Sequence, residues 1–451
     1  MRSIKKIAIW GSLLAGLYTM PVQAQVITPP PPDSSNTLPD TGGANPAAGF
    51  LMETYHISQS ESEKRLGLQM KVGDLVTQLS DIRGFAGIEV KHEPRYQVEV
   101  YFTRLDWHHL HRLHIEPELK PFVKFKRTRF STKRVERLIE KLSKSLDGLT
   151  FSYQGGYDRK SGKIELLVES KSKRRSLKRH IPKRFKKLVK IKVGTLVSRQ
   201  ASSGALPGDW GIGGYAVTRS PNVPIPQPVD CTVGFAVTFP DTGTQGLVSA
   251  GHCENNLYLP GNPIPLAHDI FLSNPRVDRF TRFDSSGNIL SPDYDVQIWE
   301  VEGLELSSLI YFDNKEQIPE LPPFGYFDVV GVIRAEQQTP GTIVCKSGAI
   351  TGVTCSEVVN NFAFYDGLNG WIQTSNTRQS VIGLPGDSGS PVFTYPSGSS
   401  NVLLAGVFVG SNDNMNISAG LSTGGRFSES VHTPIDEVID VTQDKAVPFI
   451  R

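Results

Sequence analysis

Three short segments hold the side chains that acyl transfer by a serine would require. The segment 386–391 (GDSGSP) places Ser388 in a glycine-flanked turn, where its hydroxyl can project and backbone N–H groups can converge on an oxyanion. His252 lies upstream beside a cysteine and offers a general base, and Asp295 heads an alternating segment between the two. The three residues are far enough apart in sequence for each to come from a different loop.

The roles of these side chains follow from their chemistry. A serine hydroxyl needs a base to take its proton at neutral pH, and His252 is the strongest candidate because His268 and His432 lie in no comparable motif. Asp295 would hold the imidazole in one tautomer and stabilise the imidazolium. Asp293 is its rival, and the alternating apolar residues that follow Asp295 favour Asp295.

The sequence around these residues resembles the bacterial branch of the chymotrypsin-like serine proteases, which includes the streptogrisins and α-lytic protease. The order His, Asp, Ser is the chymotrypsin order. The resemblance covers about residues 212–440 and rests on four segments: 231–237 (CTVGFAV), 249–253 (SAGHC), 344–355 (VCKSGAITGVTC) and 385–389 (PGDSG).

The resemblance implies a fold and a reaction. The expected fold is an all-β protease domain of two packed antiparallel β-barrels, with the triad His252, Asp295 and Ser388 at their interface. Ser388 would form an acyl-enzyme with a polypeptide substrate, and the backbone N–H groups of Gly386 and Ser388 would form the oxyanion hole. No metal ion and no organic cofactor is expected.

The four cysteines all lie after residue 230. Four cysteines allow three pairings, and both proximity in sequence and the family resemblance favour two short-range disulfides. A metal site is the weaker interpretation, because C-x-x-C spacing is absent. The expected disulfides are Cys231–Cys253 and Cys345–Cys355.

Three positions depart from the family pattern: Ser390 replaces a second glycine after the nucleophile, Lys346 replaces an arginine, and Val409 replaces a serine. The motif turn would bury Asp387, which then needs a cationic partner or several hydrogen bonds. The streptogrisin-like branch uses an arginine after a disulfide cysteine as this partner. Here Lys346 would replace it and make a monodentate contact with Asp387; the alternative is an exposed Lys346.

Val409 stands where the family has a serine beside the specificity pocket. No acid lies in 377–385, which argues against cleavage directed by Arg or Lys.

The N-terminus has the pattern of a secretory signal peptide. A basic start at positions 2–6 precedes an apolar stretch over 7–20, and small residues follow at Val22 and Ala24. We expect residues 1–24 to be removed and the protein to be secreted or periplasmic. A membrane anchor is the weaker alternative, because the apolar run is shorter than the ~20 residues of a span. No other segment is long and apolar enough.

The net charge of +3 hides an asymmetry between the two halves. Residues 210–451 carry 11 Lys or Arg and 25 Asp or Glu, a net charge of −14, whereas residues 1–209 carry a net charge of +17. Opposite charges attract over long range, as expected for a pro-region bound to its own protease. Coincidence of two separately evolved surfaces is the alternative.

The chain divides into four parts by composition. Residues 1–24 are the signal peptide, 25–48 a Pro-rich linker, 49–209 a basic α+β pro-region with a processing junction, and 210–451 the protease domain. Within 49–200 a helix followed by two strands occurs twice, as in the pro-regions of α-lytic-type proteases. The predicted helices are Glu61–Leu79 and Ser131–Leu146, and the predicted strands are Gly87–Val90, Tyr96–Phe102, Leu149–Tyr153 and Lys163–Val168.

Two further clusters have a functional and a structural interpretation. Lys171–Lys192 contains twelve Lys or Arg and no acid. A polyanion-binding patch is one interpretation, but a solvated, protease-sensitive junction is favoured, and no nucleic-acid partner is expected. His108, His109, His111 and His114 could bind a metal, but an exposed polar stretch is favoured because the ligand spacing is irregular.

The sequence therefore predicts a secreted serine endopeptidase made as a precursor. Its partners would be polypeptide substrates and its own pro-region. One alternative is a catalytically silent protease homologue that acts as a binding module. A second is a secreted polyanion-binding protein whose basic segment is the functional part.

Overall fold

The N-terminal part of the chain begins with two capped helices. In this computed structural model, α1 (Pro46–Tyr55) starts where Asn45 Oδ1 accepts the N–H groups of Ala47 and Ala48, and α2 (Gln59–Leu79) starts at Ser58. The described residues are 45–105, 113–146, 148–199, 216–217, 230–253, 257–259, 270–272, 275–279, 295–301, 306, 308–314, 324–365, 368–377, 381–396, 401–412, 428–439, 446–448 and 450.

The predicted Pro-rich linker 25–48 is too long at its C-terminal end. Residues 46–48 form the first turn of α1 and are buried. Pro46 suggested a linker by composition, yet proline suits the first helical turn, where its missing N–H has no helical partner in any case. The rest of the linker and the predicted signal peptide lie outside the described residues.

Two α+β units of the same topology follow, as the repeated helix and hairpin predicted. In each unit the first two strands are antiparallel, and a third strand, which the sequence analysis missed, is parallel to the second. The second unit begins with helix α3 (Thr132–Leu146). The strands are β1 (Phe85–Lys91), β2 (Gln97–Phe102), β3 (Val123–Arg127), β4 (Gln154–Asp158), β5 (Lys163–Val168) and β6 (Val189–Val193), with short 3₁₀ turns at Lys120–Phe122 and Lys183–Phe185.

Two predictions for the second unit are wrong. The strand predicted at Leu149–Tyr153 begins at Gln154, because Tyr153 and its neighbours reach the core from the connection before the strand. Lys171–Lys192 is not a solvated junction. It forms helix α4 (Lys171–His180), capped by Ser170, and then strand β6. Leu177 is fully buried and is the one apolar side chain of this ten-residue helix, so it anchors an otherwise polar and charged segment.

The C-terminal half is built almost wholly from antiparallel strands, which confirms its predicted all-β class. A single short helix, α5 (Asp436–Ile439), and a 3₁₀ turn, Ala335–Gln337, are the helical elements among its described residues. Strand β7 (Ser198–Arg199) ends the described N-terminal part. The strands of the C-terminal half are β8 (Ala216–Val217), β9 (Cys231–Thr232), β10 (Ala236–Thr238), β11 (Gln245–Ser249), β12 (Leu257–Leu259), β13 (Ile270–Leu272), β14 (Val277–Arg279), β15 (Val296–Val301), β16 (Leu309–Asp313), β17 (Phe324–Val332), β18 (Ile343–Gly348), β19 (Gly352–Tyr365), β20 (Leu368–Asn376), β21 (Pro391–Thr394), β22 (Val402–Ser411), β23 (Ser428–Pro434) and β24 (Val447–Pro448).

These strands form two main sheets. The first is a five-stranded antiparallel sheet in the order β14-β15-β11-β10-β24. The second closes on itself, because β22, β21, β18, β19, β20 and β23 pair in turn and β23 returns to β22. The second sheet is thus a six-stranded antiparallel barrel, and closure removes its free edges. Strand β17 joins it by a parallel pairing with β22.

The N-terminal part packs against this closed barrel. Strand β4 pairs with β19, so the sheet of the second α+β unit continues into the barrel wall. Helix α1 buries Phe50 and Leu51 in the same apolar cluster as Ile343 and Phe393 of the barrel. The two parts therefore share an apolar cluster. Since apolar burial is the main stabilising contribution to folding, this cluster helps to hold the two parts together.

Candidate active site

Ser388, His252 and Asp295 form one hydrogen-bonded chain. The His252 Nδ1–H donates to Asp295 Oδ2 at 2.9 Å, and the His252 backbone N–H donates to Asp295 Oδ1, also at 2.9 Å. This leaves Nε2 as an acceptor, 2.9 Å from Ser388 Oγ. The carbonyl of Val409 is a more distant acceptor for the same hydroxyl at 3.2 Å. The geometry therefore directs the serine proton to the imidazole.

The buried carboxylate of Asp295 holds the imidazole of His252 in one orientation. Its side chain is 1% exposed and accepts two hydrogen bonds from a single residue, His252, which locks both the ring and its loop. The backbone is held as well, because Thr433 Oγ1 donates to the Asp295 carbonyl at 3.1 Å. A buried carboxylate without such donors would be costly.

Thr232 holds the turn that carries the proposed nucleophile. Its Oγ1–H donates to the Gly386 carbonyl and its N–H donates to the Ser388 carbonyl, each at 2.7 Å. The Thr232 carbonyl accepts from Ser249 Oγ at 2.8 Å. Gly389 has φ +93°, and a Cβ there would lie 2.0 Å from the Thr232 carbonyl oxygen, so only glycine fits. These contacts orient the peptides of Gly386 and Ser388, the proposed oxyanion hole.

Asp387 is buried beneath this turn and has several partners. Its Oδ1 accepts the N–H groups of Ile350 and Thr351 at 2.8 and 3.2 Å, and its Oδ2 accepts the Leu384 N–H at 2.9 Å. Thr351 Oγ1–H also donates to Oδ2 at 2.8 Å. These four hydrogen bonds satisfy a carboxylate that would be costly to bury without partners.

Lys346 lies beside this carboxylate and is itself 2% exposed. Its Nζ is 3.5 Å from Asp387 Oδ2 and donates to Thr351 Oγ1 at 2.5 Å, so Thr351 bridges the two charges. Nζ also lies 5.5 Å from the centre of the Phe408 ring. A Cβ on Gly348 would lie 2.2 Å from Asp387 Oδ1, so glycine leaves the room that this pair occupies.

Both disulfides lie next to the candidate site. Cys231 pairs with Cys253, beside His252, and Cys345 pairs with Cys355, beside Lys346. The first disulfide anchors the loop that carries His252, and the second joins the two strands, β18 and β19, next to Lys346. The pairing is the one that the family resemblance implied.

Other sequence candidates lie elsewhere. His432 Nε2–H donates to Gln338 Oε1 at 2.7 Å, and burial lowers the pKa of His432 to about 3, so it stays neutral in the core. Asp293 and His268 lie outside the described residues, as do His108, His109 and His111. His114 is exposed and 3.4 Å from Glu116. Among the described residues no group of three or more His, Cys, Asp or Glu is placed to hold a metal ion.

The C-terminal half combines a six-stranded closed antiparallel barrel with a second antiparallel sheet. Turns next to β11 and β15 of that sheet carry His252 and Asp295, and the turn before β21 of the barrel carries Ser388. The C-terminal half has a chymotrypsin-like fold. A triad of this kind is recognised by geometry and order rather than by overall identity. Two of the segments that suggested the family, 249–253 and 385–389, carry His252 and Ser388, whereas Asp295 lies outside the four.

Comparison with solved structures finds chymotrypsin-like bacterial proteases at low identity. The chain is 18% identical to Cellulomonas bogoriensis chymotrypsin, covering 53% of this chain and 98% of that one, with a TM-score of 0.32. It is 19% identical to Nocardiopsis protease, covering 51% and 94%, with a TM-score of 0.31. It is 17% identical to Thermobifida fusca protease A, covering 52% and 97%, with a TM-score of 0.32. No protein-family model matches the sequence, and no match is found among curated proteins.

Sequence reasoning missed the side chains that support the site. Thr232 directly follows a cysteine and Ser249 lies three residues before His252, so proximity to the motifs was an available signal for both. Thr351 and Thr433 gave no such signal. Their hydroxyls meet Asp387 and Asp295 through contacts between segments that are 36 and 138 residues apart in sequence.

Proposed function

We propose that the chain is the precursor of a serine endopeptidase with Ser388 as nucleophile, His252 as general base and Asp295 as the residue that orients the imidazole. The observation that carries the proposal is the continuous chain Asp295–His252–Ser388, with 2.9 Å at both contacts of the imidazole. This is the arrangement that an otherwise weak serine nucleophile needs.

The reaction would proceed by acyl transfer to the enzyme. Ser388 Oγ attacks the substrate carbonyl carbon while its proton moves to His252 Nε2, and the carbonyl oxygen becomes an oxyanion facing the N–H groups of Gly386 and Ser388. His252 then gives the proton to the leaving amine. His252 next takes a proton from a water molecule, which attacks the carbonyl carbon of the acyl-enzyme. The ester bond to Ser388 Oγ then breaks, the carboxylic acid is released, and His252 returns the proton to Ser388 Oγ. Asp295 remains a carboxylate throughout.

We propose that residues 49–209 are a pro-region, exported with the help of the signal peptide and removed afterwards. Strand β7 pairs antiparallel with β22, with Arg199 opposite Gly410 and Ser198 opposite Ser411. Gly410 directly follows Val409, whose carbonyl accepts from Ser388 Oγ. The chain thus leaves the N-terminal part beside the nucleophile. We expect cleavage C-terminal to strand β7, within residues 200–210.

The direct test is Ser388→Ala in the full chain. Removing the nucleophile should abolish peptide hydrolysis and leave the exported protein with its pro-region still attached, while export and folding persist. Hydrolysis of a peptide library measures the first effect, and intact mass with N-terminal sequencing of the secreted product measures the second. Ser390→Ala is the matched control and should still cleave, because the Ser390 hydroxyl donates to the Asp387 carbonyl and not to the triad.

An active-serine phosphonylating probe separates the protease from the silent homologue. Covalent labelling of Ser388 that depends on His252 supports the enzyme. Near-normal hydrolysis by Ser388→Ala, or a correctly folded wild-type chain that neither cleaves nor reacts with the probe, would overturn the proposal.

A further inference from the structure

The N-terminal part meets the closed barrel across a face with one buried and two half-buried titratable groups, His92, Tyr55 and Glu357. On the N-terminal side this docking face consists of Tyr55, Gln69 and residues 90–93, and on the barrel side of residues 340–343 and Glu357. Backbone N–H groups from both sides donate hydrogen bonds across it. The Val90 N–H donates to the Pro340 carbonyl, and the Ile343 N–H donates to Gln69 Oε1, both at 2.7 Å.

Glu357 is the only acid of strand β19, and the electrostatic partners that act on it among the described residues, Tyr55, Glu89 and Glu93, include no cation. The Tyr55 hydroxyl donates to Glu357 Oε2. Two more acids of the N-terminal part, Glu89 and Glu93, act on it electrostatically. Burial, and then the repulsion of these two carboxylates, raise the pKa of Glu357 to about 7 despite the hydrogen bond from Tyr55.

His92 is the second titratable group of the face and is 6% exposed. Its Nε2–H donates to the Gly341 carbonyl at 2.8 Å, and its ring stacks on Tyr55 with 4.8 Å between the centres. Its Nδ1 is buried without a hydrogen-bond partner. The only cation facing it among the described residues is Arg65, which donates to the His92 carbonyl at 3.0 Å. Burial, with a further contribution from Arg65, lowers the pKa of His92 to about 4.

We propose that the docking face closes only with a protonated Glu357 and a neutral His92, so that closure takes up one proton at the barrel and releases another from the N-terminal part. This inference deepens the proposed function, because the face joins the proposed pro-region to the proposed protease. Tyr55 links the two sites, since its hydroxyl bonds Glu357 and its ring covers His92. An open cavity lined by Tyr55, Arg65, His92 and Glu93 lets solvent protons reach the face.

The two groups give opposite pH dependences. Glu357 has a pKa raised from 4.5 to about 7, so its contribution to docking is fully present below pH 4.5 and is lost as the pH rises to 7. His92 has a pKa lowered from 6.5 to about 4, so its contribution is present above pH 6.5 and is lost as the pH falls to 4. Each shift alone corresponds to about a 300-fold change in the opening equilibrium. Between pH 4.5 and 6.5 the two effects offset each other.

The experiment measures opening of the face in the full, uncleaved chain. Ser388→Ala serves as the background, and hydrogen exchange at the Val90 and Ile343 amides, corrected for intrinsic rates, reports opening from about pH 4 to 8. Glu357→Gln should leave only the His92 effect, so opening increases as the pH falls. His92→Gln keeps an N–H donor for Gly341 and should show the reverse, with opening that increases as the pH rises. Each variant should change up to about 300-fold and the parent much less.

Two control variants test whether the pH dependence arises at the docking face. Glu300→Gln removes a carboxylate from β15, outside the face, and should match the parent. Tyr55→Phe should open the face at every pH, because Glu357 loses its donor. Parallel pH profiles in the parent, Glu357→Gln and His92→Gln would overturn the proposal, and so would a parent profile as steep as either variant. Hydrogen exchange does not depend on hydrolysis, so these outcomes can be read even if the proposed protease activity fails its own test.

Discussion

At the scale of single residues, the buried pair of Lys346 and Asp387 makes the sharpest prediction. Lys346→Met removes the cation and leaves Asp387 with its amide and hydroxyl donors only. An uncompensated buried charge costs about 3–5 kcal/mol, so we expect a loss of this order in the free energy of unfolding. Chemical denaturation of the full chain in the Ser388→Ala background measures it.

The control for this prediction is Lys163→Met, since Lys163 lies on strand β5 with an exposed side chain. It should change stability by no more than about 0.5 kcal/mol. Lys346→Arg should fall between the two, because it keeps the charge but must fit a larger planar group where Thr351 now bridges. Equal stability of Lys346→Met and Lys163→Met would show that the amides alone satisfy Asp387.

Thr232 makes a second prediction at this scale. Thr232→Val keeps the shape of the side chain but removes the hydroxyl that donates to the Gly386 carbonyl and accepts the Ala349 N–H. The Gly386 peptide would be less well oriented, and an unsatisfied buried group costs about 1–3 kcal/mol. We expect kcat to fall about tenfold or more with KM little changed. Thr242→Val, at an exposed turn, is the control, and a change in KM alone would contradict the assigned role.

At the scale of elements, Arg159 joins both α+β units to the barrel. Its guanidinium is buried, donates to the Ala86 carbonyl at 3.1 Å and to Asn361 Oδ1 at 2.9 Å, and lies 5.2 Å from the Phe362 ring centre. Burial lowers the pKa of Arg159 to about 10, yet the group remains charged at neutral pH. The strand pairing of β4 with β19 lies next to this contact.

Arg159→Met should therefore loosen the β4–β19 pairing. It leaves two acceptors unsatisfied at about 1–3 kcal/mol each. Hydrogen exchange over Phe364 and Tyr365 should become at least tenfold faster, and Lys160→Met, which changes an exposed neighbour, should leave it unaltered. If exchange there is the same in both variants, the pairing does not depend on Arg159.

At the scale of the whole molecule, opposite net charges and a shared core suggest assisted folding. Residues 210–451, with a net charge of −14, should fold poorly when expressed alone, because α1 contributes to the apolar cluster that includes Ile343 and Phe393. Adding residues 45–200, which contain the whole of α1 and its cap, in trans should raise the yield of active enzyme, most strongly at low salt. Equal yields with and without 45–200 would refute assistance. Independence from ionic strength would refute only the contribution of charge.

The sequence by itself determined the elements whose signals are local. Helix Thr132–Leu146 and strand Lys163–Val168 follow from periodicity and turn residues over a few positions, and the all-β class of the C-terminal half follows from its motifs. The types and order of His252, Asp295 and Ser388 also required no structure. A hydroxyl, an imidazole and a carboxylate in those motif contexts favour one chemistry.

Only the tertiary structure decided what depends on contacts between distant segments. The hydrogen bonds from Thr351 and Thr433 join residues that no local pattern connects. The same holds for helix Lys171–His180, where one buried leucine outweighs a charged sequence, and for the contact of Glu357 with Tyr55, 302 residues away. Contacts between distant segments determine which side chains are buried, and burial shifts the pKa of a titratable group. A short stretch of sequence therefore predicts neither the burial nor the pKa of such a group.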